Sequence, residues 1–165
     1  MRTLFTTLFV LILSTFASAQ FVLGEINEDW FESPYQSGGL FAYLDSTLEG
    51  HGGLKVLQRR EYTVDRGESP CIIGKSYAGG IYVKEDQGCV EESGSNTWVY
   101  LPSETDIDEL KAWVEAWNKL YVGEEHGTYS WRGDNFGPPD GEAGCYYSIQ
   151  KDQYGRIVLE LYCGC

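Results

Sequence analysis

Residues 131–144, WRGDNFGPPDGEAG, gather the oxygen-bearing side chains of Asp134, Asn135, Asp140 and Glu142 in one turn-rich segment. Hard carboxylate and amide oxygens on a pliable loop are what a calcium ion selects, and extracellular calcium fills even loose sites. The spacing differs from an EF-hand loop, whose ligands alternate around a fixed glycine. Asp, Asn, Gly and Pro are also ordinary turn formers. Calcium is therefore the one cofactor these residues bring forward, with a plain loop as the competing reading.

Other chemistry is sparse. Arg132-Gly133-Asp134 resembles the integrin-binding tripeptide of adhesive proteins, but it is equally ordinary turn chemistry. The two histidines, His51 and His126, sit beside glycines, and neither has an adjoining nucleophile oriented by a third group. Carboxylate pairs for glycoside hydrolysis can be drawn from Glu124, Glu125, Asp134, Asp140 and Glu142, but so acidic a chain supplies such pairs in any fold. No residue is assigned a catalytic role. The aromatic strands carry more promise. Period-two alternation puts Trp98 with Tyr100 on one strand face, and Tyr129 with Trp131 on another. Exposed, these rings form a platform for sugar rings or a partner's apolar surface; buried, they pack under a helix.

All five cysteines, Cys71, Cys89, Cys145, Cys163 and Cys165, lie well after residue 19. In an oxidising compartment they imply two disulfides and one odd thiol. Cys71 and Cys89 bracket a hairpin turning at Ala78-Gly79-Gly80. Cys145 and Cys163 bracket another, turning near Asp152-Gln153-Tyr154-Gly155. Across an antiparallel pair such residues come within bridging reach. Cys165 is then free, an alternative partner for Cys145, or the link of a dimer; otherwise the protein is a monomer. Cys163-Gly164-Cys165 lacks the further ligands of a zinc site and the spacing of a redox pair.

These side chains need a scaffold, and the pattern predicts an α+β domain: a largely antiparallel sheet of about seven to nine short strands in hairpins, with one long amphipathic helix over about 104–121 on one face. Residues 40–48 and 54–64 read as strands joined by Gly50-His51-Gly52-Gly53. Residues 81–83, 97–101, 128–132, 145–149 and 157–163 supply others. In the helix, Ile107, Leu110, Val114, Trp117 and Tyr121 recur on one stripe that Trp113 and Leu120 widen; Ser103 or Thr105 caps it and Gly123 ends it. At that spacing the two-tryptophan stripe reads as core packed on the sheet rather than a groove. Residues 20–39 form an irregular arm anchored by Trp30, Phe31 and Tyr35, and 133–144 a loop.

The N-terminus reads as a secretory signal. Arg2 precedes an apolar stretch over 4–16, and Ala17-Ser18-Ala19 gives the small-x-small pattern for cleavage after Ala19. The stretch is short of the roughly 20 residues that span a bilayer, and no later run inserts in a membrane. Residues 20–165 are then one secreted domain, more acidic still than the −13 of the whole chain. That charge repels nucleic acid and anionic membrane. Arg59-Arg60 offers a second processing point, after Arg60.

An Ala-Ser-Ala-Gln signal end, an Asp-Ile-Asp-Glu-Leu helix and a cysteine-bearing hairpin resemble small secreted fungal proteins of the killer-toxin and necrosis-inducing effector type. The resemblance covers residues 103–165, departs in cysteine number and spacing, and carries no functional residue over. The expectation is a secreted, acidic interaction domain without catalysis, of effector, toxin or inhibitor character, recognising an extracellular protein or glycan. The first alternative is a carbohydrate- or calcium-dependent binding module using the aromatic strands and residues 131–144. The second is a small hydrolase with paired carboxylates.

Overall fold

The computed structural model describes residues 21–32, 38–61, 68–89, 94–123, 128–139 and 142–164. The expected signal with its cut after Ala19, and Tyr35, Glu124, Glu125, His126, Asp140 and Cys165, lie outside these residues.

The chain is α+β and dominated by strands. The helices are α1 (Asp29–Glu32), α2 (Leu40–Thr47) and α3 (Ile107–Val122). The strands are β1 (Gly50–Glu61), β2 (Glu68–Tyr77), β3 (Tyr82–Asp86), β4 (Ser95–Leu101), β5 (Ser130–Arg132), β6 (Asn135–Gly137), β7 (Gly144–Lys151) and β8 (Ile157–Gly164). They form one eight-stranded sheet in the order β1-β2-β3-β4-β8-β7-β6-β5, antiparallel at every pairing. Two stretches thus share one connectivity: α2 leads into the meander β1–β4, and α3 leads into β5–β8. The last strands of the two meanders, β4 and β8, pair at the centre of the sheet.

Helix α3 starts at Ile107 rather than near 104, because Asp106 is its cap: the carboxylate accepts the N–H groups of Asp108 and Glu109 at 2.8 and 3.0 Å. Neither Ser103 nor Thr105 takes that place. The helix ends at Gly123, whose φ of 84° suits glycine. Its stripe is core, as the spacing implied: Leu110, Trp113, Val114 and Trp117 are buried against the odd-numbered residues of β3, β4, β7 and β8, among them Val83, Val99, Tyr147 and Leu159.

Residues 40–48 are not a strand. Leu40, Phe41, Tyr43 and Leu44 are all buried on one side of helix α2, at the i, i+1, i+3, i+4 spacing of a helix face. Gly50, Gly52 and Gly53 form no turn between two strands but begin β1, and β1 pairs with β2. Asp45 tethers α2 to that hairpin, accepting from the Lys75 ammonium and, at 3.0 Å, from the Tyr77 hydroxyl. The N-terminal arm is likewise built in. Leu23 is buried, Trp113 donates to the Gly24 carbonyl at 3.2 Å, and Trp30 and Phe31 pack on Tyr43 and Trp117. A cut after Arg60 would remove Leu23, Leu40, Phe41, Tyr43 and Leu44 from the core together.

Cys71 pairs with Cys89 and Cys145 with Cys163, at Cα separations of 5.1 and 4.1 Å. Cys145 and Cys163 are opposed in register, close as in the nearer kind of antiparallel pair. Cys71 instead stands level with Gln87, whose N–H it accepts. Cys89 reaches it because the Asp86 carboxylate takes the N–H groups of Gly88 and Cys89, both at 2.9 Å, and curls the chain back. No helix among the described residues is long and apolar enough to cross a membrane.

Candidate binding face

The described helices cover one face of the sheet, and among the described residues no layer lies on the other. Alternation assigns side chains to the two faces. On β4, Thr97, Val99 and Leu101 are buried, while Asn96, Trp98 and Tyr100 between them are half-buried on the open side. The strand register then lines up a row across the sheet: Lys84, Trp98, Glu160, Ser148, Asn135 and Arg132, each directly opposite the next. Flanking it on one side lie Asn96, Tyr162 and Tyr146, and on the other Tyr82, Tyr100, Val158 and Gln150. A mostly polar row that includes Trp98 is thus bordered on each side by a row carrying two tyrosines, with Asp86 opposite Asn96 at the end of one.

The rings are held in place. Gly137 lies where a Cβ would stand 2.7 Å from the Tyr146 ring, and one on Gly164 or Gly94 would stand 2.7 or 2.8 Å from that of Tyr162. Glycine at these positions lets both tyrosines settle against the backbone. The Tyr146 hydroxyl is fixed further by donating to the Glu142 carbonyl. Gly137→Ala is therefore expected to cost about 1–3 kcal/mol by overpacking. In a Tyr146→Ala background the same change should cost much less, a coupling that urea melts of the four-variant cycle will read.

Cations also lie on this face. Lys84 Nζ stands 4.3 Å above the Trp98 ring and the Arg156 guanidinium 4.7 Å from that of Tyr100. Arg156 is paired with Asp152 at 2.7 Å. Burial, and then the charge of Tyr100, raise the Tyr82 hydroxyl pKa. At one end of the polar row a cleft of about 360 Å³ opens, within the range of small-molecule sites of about 300–1,000 Å³. Arg132, Asn135, Tyr146, Ser148, Glu160 and Tyr162 line it. Arg132 is oriented there by donating to the Pro138 carbonyl at 2.7 Å.

The four aromatics expected as a platform are divided between the faces. Trp98 and Tyr100 are on the open one. Tyr129 and Trp131 pack with Phe136 on the helix side, where Trp131 Nε1 donates to Glu115 on α3 at 2.6 Å. The three described members of the calcium set do not converge. Asp134, at the tight turn between β5 and β6, pairs with Lys111 of α3 at 3.3 Å, Asn135 belongs to the open face, and Glu142 is solvent-exposed. No group of three potential metal ligands occurs among the described residues. The same turn sends Arg132 to the open face and Asp134 to the helix, so the tripeptide is not presented as a unit.

Of the acids considered for hydrolysis, Asp134 and Glu142 are exposed. A different acid is buried: Glu85, whose carboxyl pKa burial raises and the Gln87 amide, at 2.7 Å, partly restores. Its cleft is shared with Asp45, already engaged by Lys75 and Tyr77.

The sequence reading missed Lys84, Glu160, Ser148, Tyr146 and Tyr162. Their signal was parity: each lies an even number of residues from a strand neighbour on the Trp98 face, once the hairpin turns set register. No protein-family model, curated protein or solved structure matches the chain. The fold defines an α+β sheet domain whose described helices all lie on one side of the sheet.

Proposed function

We propose that the protein is a secreted, non-catalytic recognition domain that meets an extracellular partner with the open face of its sheet. The observation that carries this reading is the row Lys84–Trp98–Glu160–Ser148–Asn135–Arg132 between rows that each carry two tyrosines, on a face that none of the described helices covers. Aromatic rings and arginine are the residues that dominate binding energy when they are preorganised. The two cystines support action in an oxidising, extracellular compartment, where the sequence signal would send the chain. The net charge of −13 argues against nucleic acid as the partner.

The test is retention of labelled, disulfide-bonded protein on a panel of cell surfaces and extracellular matrix preparations. Trp98→Ala and Tyr162→Ala should each reduce retention about tenfold or more, while circular dichroism shows the fold intact. Retention indifferent to both changes would refute the reading.

A further inference from the structure

Building on the recognition reading, we infer that the ligand of the open face is a neutral oligosaccharide, seated in the cleft lined by Arg132, Asn135, Tyr146, Ser148, Glu160 and Tyr162 and running along the polar row toward Trp98. The donors and acceptors are those a sugar needs. Each hydroxyl of a pyranose both gives and takes a hydrogen bond, and vicinal hydroxyls match planar forked groups. The cleft supplies one of each kind: a guanidinium that only donates, a carboxylate that only accepts, and an amide and a hydroxyl that do both. Tyr146 and Tyr162, opposed across β7 and β8, add rings for the apolar C–H face of the sugar. The glycines beneath them hold these rings before the ligand arrives, so little side-chain freedom is lost on binding.

Other chemistries fit less well. An anionic polymer would meet Glu160 in mid-row, with Lys84 already on Trp98 and Arg156 on Asp152, in a chain of net charge −13. A protein partner favours an apolar centre with a polar rim, because charge is depleted from interface cores. Here five of the six residues of the central row are charged or polar, and four tyrosines stand in the rows beside it. A sugar chain lying across the strands uses both.

The experiment titrates the disulfide-bonded protein with neutral oligomers of β-glucan, xylan, chitin, mannan and galactan, followed by calorimetry and amide chemical shifts. At least one oligomer should bind and move resonances of β4, β7 and β8. Glu160→Gln and Tyr162→Ala should each weaken it about tenfold or more. Glu115→Gln, on the helix side, should leave affinity unchanged. Absence of binding by every oligomer, or equal affinity in the Glu160 and Tyr162 variants, overturns the assignment. Surface retention separates the two ideas. If Trp98→Ala abolishes retention while no oligomer competes for it, the open face is a recognition site and the sugar assignment is wrong. If retention ignores the face, both fail.

Discussion

Replacing Cys145 and Cys163 together by serine is expected to lower stability by about 3 kcal/mol, and replacing Cys71 and Cys89 by a similar amount. The equality follows from the chain: both bridges span 18 residues, so each removes a comparable amount of loop entropy from the unfolded state. A domain of this size holds about 5–15 kcal/mol in all, so losing both bridges removes a large share and leaves a marginal fold. The folded-state consequences should differ. The β7–β8 hairpin is in register at every position from Gly144↔Gly164 to Lys151↔Ile157, so its bridge adds no register information. The other bridge anchors the chain beyond the end of β3, where the backbone N–H groups of Gln87, Gly88 and Cys89 are taken by Cys71 and Asp86 outside any strand ladder. Hydrogen exchange of the two double variants is the measurement. Faster exchange at 87–89 is expected only when Cys71–Cys89 is lost, and a similar local opening at β7–β8 would contradict the register argument. Urea melts give the common loss of about 3 kcal/mol.

The parts of this fold that were legible in the sequence rest on local periodicity. The α3 stripe repeats over four turns, and the hairpins around the cysteines announce themselves by glycine-rich turns between alternating runs. Residues 40–48 failed for an instructive reason. Five of the first six side chains, Leu40, Phe41, Ala42, Tyr43 and Leu44, are apolar, and a short unbroken run does not distinguish a buried strand from a buried helix. The helix was there in the choice of leucine and alanine over β-branched residues. Strand β6 escaped because Asn135-Phe136-Gly137, just before Pro138-Pro139, resembles the loop around it. The binding face was half legible. Period-two alternation pairs Trp98 with Tyr100 and Tyr129 with Trp131, but does not say which pair the helices cover. Which side α3 covers is decided by packing across the whole sheet, and no window of sequence holds that information. Lys84, Glu160, Ser148 and Arg132 come from four different strands, so only the register assembles them.

Trp117→Ala is expected to be the most damaging single change in the molecule, costing about 3–5 kcal/mol and lowering the melting temperature by roughly 10 °C. Trp117 is fully buried and is the ring on which three helices converge. Its centroid lies 5.1 Å from Phe31 of α1, 4.9 Å from Tyr43 of α2, and 5.9 and 5.2 Å from Trp113 and Tyr121 of its own helix. Removing it opens a cavity where α1, α2 and α3 meet over the sheet, and neighbours this large cannot collapse into the gap without leaving their rotamers. Trp117→Phe should be far milder. Its indole N–H and the neighbouring Tyr147 hydroxyl are both shut off from solvent, and neither makes a well-formed hydrogen bond among the described residues. Burial above all holds that hydroxyl in its neutral form, with its pKa well above the ordinary tyrosine range. Phenylalanine gives up ring area but also removes a buried donor that makes no well-formed hydrogen bond among the described residues, and the two effects partly offset. Comparing the three proteins by urea melt therefore measures packing apart from polarity. It also decides between core and groove for the two-tryptophan stripe. If Trp117→Ala left stability within 1 kcal/mol of the parent, a core role would be untenable, whereas a full loss with unchanged ligand affinity in the surviving folded fraction would confine recognition to the opposite face of the sheet.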